Sequence, residues 1–109
     1  PYEDDVWSHK NLINVVSHTK IEREKLKKIL EDCNLIDAVR YFVNPPQNIF
    51  TWWSYRSPNY KISNRGRRLD HIWISKEIEN KLVNSKILDK YRSKDKPSDH
   101  VPVCLEIKN

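Results

Sequence analysis

Residues 96–103 read KPSDHVPV and residues 64–71 read NRGRRLDH, and each stretch sets an aspartate beside a histidine at the edge of a predicted strand. A carboxylate and an imidazole held side by side can bind a divalent metal ion and move a proton at the same place. Asp-His pairs are also common in plain surface turns. Here, however, Pro97 and Pro102 stiffen both sides of the Asp99-His100 pair. Rigid placement at a strand edge is what a functional site needs.

Asp70, in the upstream stretch, has two possible partners. A carboxylate inside an apolar stretch is costly unless it is paired. In the functional interpretation, Asp70 accepts the Nδ1–H of His100, which fixes the tautomer and the orientation of the ring. In the structural alternative, Asp70 forms a salt bridge with Arg67 or Arg68. The neighbouring His71 is expected to have a structural role.

The net charge of +5 is concentrated in one segment. Residues 55–76 carry six basic side chains and one acid, so their local excess equals that of the whole chain. Cationic side chains interleaved with aromatic ones suit a nucleic acid. The alternative is a solvated basic loop beside core tryptophans. In a strand, adjacent side chains alternate, so one of Trp52 and Trp53 should enter the core and the other should face outward.

The hydrophobic pattern predicts a mixed α/β chain. Thr19 and Glu22 form a capping-box signature that opens a helix of about a dozen residues. Residues 35–42 are predicted as a second short helix or turn, which Pro45-Pro46 ends. Strands are predicted at 49–53, 68–75, 83–89 and 101–107, with a short helix from Ser75 to Leu82.

Residue spacing argues against several other classes of site. Cys33 and Cys104 fall at predicted apolar positions, which favours buried, reduced thiols over a disulfide. No His or Cys pair has the short spacing of a structural zinc site. The sequence has one glycine, too few for a glycine-rich phosphate loop. No apolar run reaches the length of a membrane span, so a membrane partner is not expected.

Three blocks together resemble the carboxy-terminal part of exonuclease III, in the bacterial branch of the endonuclease/exonuclease/phosphatase superfamily. They read FTWWSYRS at 50–57, NRGRRLDH at 64–71 and KPSDHVPV at 96–103, and they match that family in order and spacing. The resemblance covers essentially the whole chain. It implies an α/β fold that is part of a four-layered, DNase I-like α/β sandwich, roughly one of its two sheets plus flanking helices.

The resemblance also implies an activity and its residues. Such enzymes use Mg²⁺ or Mn²⁺ to cleave double-stranded DNA at abasic sites and to remove nucleotides from 3′ ends, in base excision repair. On this basis His100 is the expected catalytic histidine at the scissile phosphate, Asp70 orients it, and Asp99 lies at the metal site. The expected DNA-binding residues are Trp52 and Leu69 at the pocket for the flipped abasic sugar, Arg67 where some relatives have an aromatic wall, and Asn64 and Arg65 facing phosphates.

The other catalytic motifs of the family have no match in these 109 residues. They comprise an amino-terminal Asn, a metal-binding Glu, a catalytic Tyr and the Gly-Asp-x-Asn motif, and the acidic residues 3–5 are not expected to replace them. Residues 1–109 are therefore expected to be the C-terminal part of the domain, with the N-terminal half absent and the metal site incomplete. We expect negligible nuclease activity from the isolated chain. The resemblance also implies a bacterial cytoplasmic protein.

Two other interpretations stay open. One is a non-catalytic module, either a DNA-binding remnant or a half that docks onto a separately encoded N-terminal half. The basic segment 55–76 favours this interpretation. The other is a phosphodiesterase of the same superfamily that acts on inositol phosphates or phospholipid head groups. The tryptophan pair and the NRGRRLDH block speak against it.

Overall fold

The computed structural model describes residues 1–44, 46–56 and 59–109, so Pro45 of the predicted helix end and Ser57 of the FTWWSYRS block lie outside the described residues. The helices are α1 (His9–Leu12), α2 (Lys20–Asp32), α3 (Ala38–Phe42) and α4 (Tyr60–Ser63), and 3₁₀ turns span Glu3–Asp5, Lys76–Lys81 and Asp89–Ser93. The strands are β1 (Leu35–Asp37), β2 (Trp73–Ser75), β3 (Leu82–Ile87) and β4 (Val103–Ile107). A lipid bilayer needs a longer and more apolar helix than any in the described part of the chain.

Helix α2 begins where the capping box predicts. The Thr19 hydroxyl accepts from the Glu22 amide at 3.4 Å, and the Glu22 carboxylate accepts from the Thr19 amide at 3.0 Å. This reciprocal pair satisfies amides that have no partner within the first turn of a helix. Leu30 is buried whereas Ile29 is 45% exposed, so the apolar face of α2 is narrower than the sequence pattern indicates.

The two cysteines are free and exposed, so the prediction that both are buried is wrong. Cys33 is the C-cap of α2 and lies beyond its last turn. Cys104 alternates along β4 with the half-buried Val103 and Leu105. Successive strand side chains point to opposite faces, which puts the Cys104 thiol on the exposed face.

The strands of the described residues form two antiparallel pairs. β1 pairs with β2, from Leu35 opposite Ser75 to Asp37 opposite Trp73. β3 pairs with β4 in a longer ladder, which confirms the last two predicted strands within a few residues. The short helix predicted after Ser75 is the 3₁₀ turn Lys76–Lys81, and the Ser75 hydroxyl caps it.

Of the predicted strands, the one at 49–53 is wrong and the one at 68–75 is much shorter than predicted. Residues 49–53, all of which are described, contain one bridging residue, Trp52, and no strand. Residues 68–72 are irregular, and only Trp73–Ser75 forms β2. In the second segment, the Leu69 and Asp70 amides bond to the Thr51 hydroxyl and the Arg68 amide bonds to the Asp5 carbonyl, so these amides do not form a ladder with a neighbouring strand.

Asp37 joins β1 to α3. Residues 35–42 are therefore a strand followed by a helix, which corrects the prediction of one helix or turn. The Asp37 carboxylate accepts from the Arg40 amide and so caps α3. The same carboxylate accepts from two nitrogens of Arg68, at 2.9 and 2.6 Å. Asp37 thus ties the start of α3 to the NRGRRLDH stretch.

Arg68 is the centre of a buried ion-pair network, and its side chain is 0% exposed. Arg68 Nη2 donates to Asp5 Oδ2 at 3.0 Å, and Arg40 Nη2 donates to Asp5 Oδ1 at 2.8 Å. Burial alone would raise the pKa of the Asp5 carboxyl, but the charges of Arg68 and the N-terminal ammonium together with hydrogen bonds from the Tyr2 amide and Arg40 outweigh it, and the pKa is about 2. Burial alone would lower the pKa of Arg68, yet its bonds to Asp37 and Asp5 raise it. These two groups are therefore charged at neutral pH.

The core beside this network contains Phe50, Trp53 and Val101. The Phe50 and Trp53 rings meet edge to face, with 6.2 Å between their centroids. Gly66 packs so closely on Phe50 that a Cβ at position 66 would lie 2.5 Å from Phe50 Cγ. The one glycine of the sequence therefore allows a close approach of the backbone that a side chain would block.

Arg68→Met should destabilise the protein by about 3–5 kcal/mol, because it leaves the Asp5 and Asp37 carboxylates buried without their main partner. The measurement is urea denaturation followed by tryptophan fluorescence. Arg56→Met, at an exposed position, is the control and should change the unfolding free energy by less than about 0.5 kcal/mol. Equal stability of the two variants would show that the network does not hold the fold.

Candidate active site and nucleic-acid interface

Trp52 lies between the two Asp-His stretches and pairs with both. Its backbone forms one antiparallel bridge with Arg67 and another with His100. On the first side, the Trp52 amide donates to the Arg67 carbonyl at 3.1 Å, and the Arg67 amide donates back at 3.0 Å. Residues 51–53 thus bring together two stretches that are distant in sequence.

Asp70 and His100 form the hydrogen bond that the functional interpretation predicts. His100 Nδ1 lies 2.7 Å from Asp70 Oδ2. Because an ionised carboxylate only accepts, Nδ1 carries the proton and the other ring nitrogen, Nε2, is left for a ligand. Of the two alternative partners of Asp70, Arg68 binds Asp5 and Asp37 instead, and Arg67 lies over the Trp52 ring. The His100 and Asp70 side chains are 45% and 41% exposed, so the pair is open to solvent.

Asp99, the predicted metal ligand, is oriented by the tryptophan pair. Trp52 Nε1 donates to Asp99 Oδ2 at 3.0 Å, and the Trp53 amide donates to the Asp99 carbonyl at 3.0 Å. Mg²⁺ and Mn²⁺ favour sites with several oxygen ligands. The described residues contain no group of three or more His, Cys, Asp or Glu side chains that could hold a metal ion. These side chains therefore do not form a complete metal site by themselves.

The loop that precedes the Asp99-His100 pair is fixed by two tyrosines and an arginine. The Tyr55 hydroxyl donates to the Pro97 carbonyl at 2.6 Å. The Arg92 guanidinium lies over the rings of Tyr55 and Tyr60, at 4.9 and 5.2 Å from their centroids. Arg92 also donates to the Trp53 carbonyl. A buried cation over two rings is favourable, so these contacts tie the 3₁₀ turn Asp89–Ser93, which leads into the loop, to the segment that carries Trp53 and Tyr55.

A cleft of about 500 Å³ opens beside Trp52. Two arginines stack on its tryptophans: Arg65 lies 4.9 Å from the centroid of Trp7, and Arg67 lies 5.2 Å from that of Trp52. This arrangement presents positive charge and aromatic surface together, as phosphates and bases require. Sequence reasoning missed Trp7 because it is far from the basic segment along the chain. This arginine–tryptophan cleft is lined by Trp7, Leu12, Trp52, Ser54, Arg56, Ser63, Arg65 and Arg67.

Asn64 and Leu69, two predicted DNA-binding residues, do not line this cleft. Asn64 Oδ1 accepts from Trp53 Nε1 at 3.1 Å, which holds Asn64 against the core. Leu69 lines a separate cavity of about 390 Å³ together with His18 and His71. The structure therefore groups Trp52, Arg65 and Arg67 but sets these two residues apart. The roles of all five in DNA binding stay predictions.

The environment of His71 differs from that of His100. Burial is the main reason that the pKa of His71 is lowered to about 4. Burial likewise lowers the pKa of His18 to about 4. Both rings are therefore neutral at physiological pH. Within the described residues, the buried Nδ1 of His71 has no hydrogen-bond partner, which fits a packing role rather than a proton-transfer role.

Comparison with known sequences links the chain to DNA-repair nucleases, although no protein-family model matches it. Exodeoxyribonuclease III of Haemophilus influenzae is 40% identical over 80 residues, which are 72% of this chain and 29% of the relative. The DNA-(apurinic or apyrimidinic site) endonuclease of Plasmodium berghei is 34% identical over 83% of this chain and 19% of its own length. That of Plasmodium falciparum is 31% identical over 92% of this chain and 19% of its own length.

Solved structures of related enzymes also match the chain. The match to an AP endonuclease from Archaeoglobus fulgidus covers 100% of this chain and 42% of that protein, with a TM-score of 0.92 and 30% identity. A 3′ phosphatase from Neisseria, bound to product DNA hairpin, matches 99% of this chain and 41% of its own, with a TM-score of 0.89 and 28% identity. The match to a 3′-5′ exonuclease from Neisseria meningitidis covers 98% of this chain and 41% of that protein, with a TM-score of 0.87 and 28% identity.

The chain belongs to the exonuclease III and AP endonuclease family. It corresponds to the C-terminal part of such proteins and spans 19–29% of the length of the curated relatives it matches. The fold is therefore the mixed α/β fold of DNase I-like proteins, which confirms the predicted fold class. The Asp70–His100 contact, the Asp99 carboxylate and the arginine–tryptophan cleft all lie within this C-terminal part.

Asp70→Ala should change the tautomer of the neutral His100 ring. In the unmodified chain, Asp70 accepts from Nδ1 and selects the Nδ1–H form. Without this acceptor, the ring should shift to the Nε2–H form, which free histidine prefers. Two-bond ¹H–¹⁵N NMR correlations at alkaline pH distinguish the forms. Asp95→Ala, at an exposed position of the adjacent loop, is the control, and an Nε2–H ring in the unmodified chain would contradict the described contact.

Proposed function

We propose that this chain supplies the C-terminal part of an exonuclease III-like DNA phosphodiesterase that acts on abasic sites and 3′ ends of double-stranded DNA in base excision repair. One observation carries the proposal: the Trp52 backbone joins His100, bonded to Asp70, to the cleft that contains Arg65 and Arg67. Similarity to an AP endonuclease and to a 3′-5′ exonuclease supports it.

His100 acts at the scissile phosphate through Nε2, because its Nδ1 is bonded to Asp70. A ring held by a carboxylate cannot turn to present the wrong nitrogen, so Nε2 faces the phosphate in a fixed orientation and donates to a phosphate oxygen when the ring is protonated. Both side chains are accessible, as contact with a polymer substrate requires. Asp70 has a positioning role in this proposal, and His100 is the catalytic residue.

Asp99 is the proposed ligand of Mg²⁺ or Mn²⁺. Its carboxylate is held by Trp52 Nε1 and therefore has a defined direction. A single carboxylate is a weak site for these hard cations, which favour several oxygen donors. The described side chains do not provide the others. Further ligands must come from outside them, which agrees with the short span of the chain relative to its relatives.

The arginine–tryptophan cleft binds the DNA backbone. Arg65 and Arg67 neutralise phosphates, and the indoles beneath them contact sugars or bases. Trp52 has a second function in this arrangement, because its ring nitrogen also orients Asp99. The cleft and the proposed metal ligand thus share one side chain, so DNA contact and ligand orientation are linked.

Double substitution of Arg65 and Arg67 by Ala should weaken binding to duplex DNA and make it less sensitive to salt. Each lost phosphate contact reduces the slope of log affinity against log salt by about 0.9 for duplex DNA, so a fall of about 2 is the limit for the pair. Fluorescence anisotropy between 50 and 200 mM salt measures it. Lys28→Ala with Lys90→Ala removes equal charge elsewhere, and equal losses in both double variants would contradict a DNA site in the cleft.

A chimera tests the catalytic part of the proposal. The chain is joined to the part of the Archaeoglobus fulgidus AP endonuclease that precedes the matched region. We expect the chimera to incise an abasic-site duplex in Mg²⁺, and the isolated chain not to do so. His100→Ala should lower the rate of the chimera by at least about 100-fold, and Asp95→Ala should not.

The outcomes separate the remaining functions. Incision by the isolated chain that His100→Ala abolishes would contradict the need for further residues. A folded chimera that binds DNA but does not incise it would favour the non-catalytic DNA-binding function, which the intact arginine–tryptophan cleft also supports. Incision on mixing the two parts as separate chains would favour a separately encoded N-terminal half.

A further inference from the structure

Thr51 connects the backbone of Asp70 to the backbone next to His100. Its side chain is fully buried, with 1% of the residue exposed. The Thr51 hydroxyl oxygen accepts from the amides of Leu69 at 3.1 Å and Asp70 at 3.2 Å. On the other side, the Thr51 carbonyl accepts from the Val101 amide at 2.8 Å. One residue therefore bonds to both segments that meet in the Asp70–His100 contact.

The hydroxyl is needed because the Asp70 segment is not part of a sheet. Residues 68–72 are irregular, and their amides cannot rely on the ladder that a strand would provide. The Thr51 amide already donates to the Arg67 carbonyl at 2.9 Å, so the backbone pairing ends at that residue. For the next amides along that segment, those of Leu69 and Asp70, the acceptor is the Thr51 hydroxyl. Two amides bonded to one oxygen fix the direction in which the Asp70 side chain leaves the backbone.

We propose that Thr51 is a positioning residue for the Asp70–His100 pair. This proposal rests on the proposed function, because it concerns the same site. Thr51 acts through its neighbours: its hydroxyl sets the backbone at Asp70, and its carbonyl sets the backbone beside His100. The 2.7 Å separation of His100 Nδ1 and Asp70 Oδ2 therefore depends on a group that belongs to neither residue.

Two substitutions separate the hydroxyl from the shape of the side chain. Thr51→Val keeps the branched shape and removes the acceptor oxygen. Thr51→Ser keeps the oxygen and removes a methyl group. Thr19→Val is the matched control, since the Thr19 hydroxyl also accepts from an amide but lies at the start of α2, outside the site. All variants are made in the 109-residue chain.

Two NMR readouts report on positioning rather than on stability. The first is hydrogen exchange at the Leu69 and Asp70 amides, which should become about tenfold faster in Thr51→Val because each loses its acceptor. The second is the His100 tautomer, which should lose the preference for Nδ1–H in Thr51→Val. Thr51→Ser should restore both, and Thr19→Val should change neither, even if its melting temperature falls as much.

If hydrogen exchange at the Leu69 and Asp70 amides and the His100 tautomer are both unchanged in Thr51→Val, the proposal is overturned. Should Thr51→Val fail to fold, Thr51→Cys replaces it, because a thiol is a weaker acceptor of similar size; wild-type behaviour of that variant would equally overturn it. Asp70→Ala separates this failure from that of the site. If Asp70→Ala alters the tautomer and Thr51→Val does not, only the positioning role is wrong. If neither does, the Asp70–His100 pair itself is wrong.

Discussion

The buried guanidinium of Arg68 is the constraint on which the rest of the described structure depends. It bonds to Asp5 near the start of the chain and to Asp37 at the junction of β1 and α3. An unpaired charge in the interior is very unfavourable, so these segments fold together or not at all. The network also keeps Arg68 away from Asp70. Arg68 binds two other carboxylates, and Asp70 bonds to His100.

The candidate site is built on irregular backbone rather than on regular sheet. Residues 51–53 bridge the two Asp-His stretches with one residue pair on each side, and a hydroxyl replaces the missing ladder bonds. Such a site needs support from side chains, which the Arg92 stack and the Tyr55 bond to Pro97 provide. The 96–103 stretch contains an uncommon conformation: Lys96 has a φ of 48°, a left-handed value that is rare outside Gly, Asn and Asp.

The parts of the fold that the sequence predicts well are those determined by local physics. The capping box at Thr19 and the alternating apolar residues of β4 act over a few positions, and both elements are confirmed. Residues 49–53 and 68–72 have strand-like composition but few pairing partners, and composition does not reveal the number of partners. The exposure of Cys33 follows from its place at the end of α2, which depends on where the helix ends.

The same division applies to the candidate site. The contact between Asp70 and His100 is one of two interpretations that the sequence allows, because a carboxylate in an apolar stretch is expected to need a partner but the sequence does not choose between His100 and the neighbouring arginines. The roles of Thr51 and Trp7 could not be predicted, because each depends on which distant segment folds against it. The hydroxyl of a threonine in an apolar run has no sequence signal that separates an acceptor of two amides from a residue that only fills space.

The central claim is that the Asp70–His100 pair and the arginine–tryptophan cleft form one DNA-contacting surface. NMR shift mapping with a duplex that contains a tetrahydrofuran abasic-site analogue tests it most directly. We expect the largest changes at His100 Nε2 and at the side-chain nitrogens of Trp52, Arg65 and Arg67, with His71 unchanged. Changes confined to surfaces away from His100 and the cleft would contradict it.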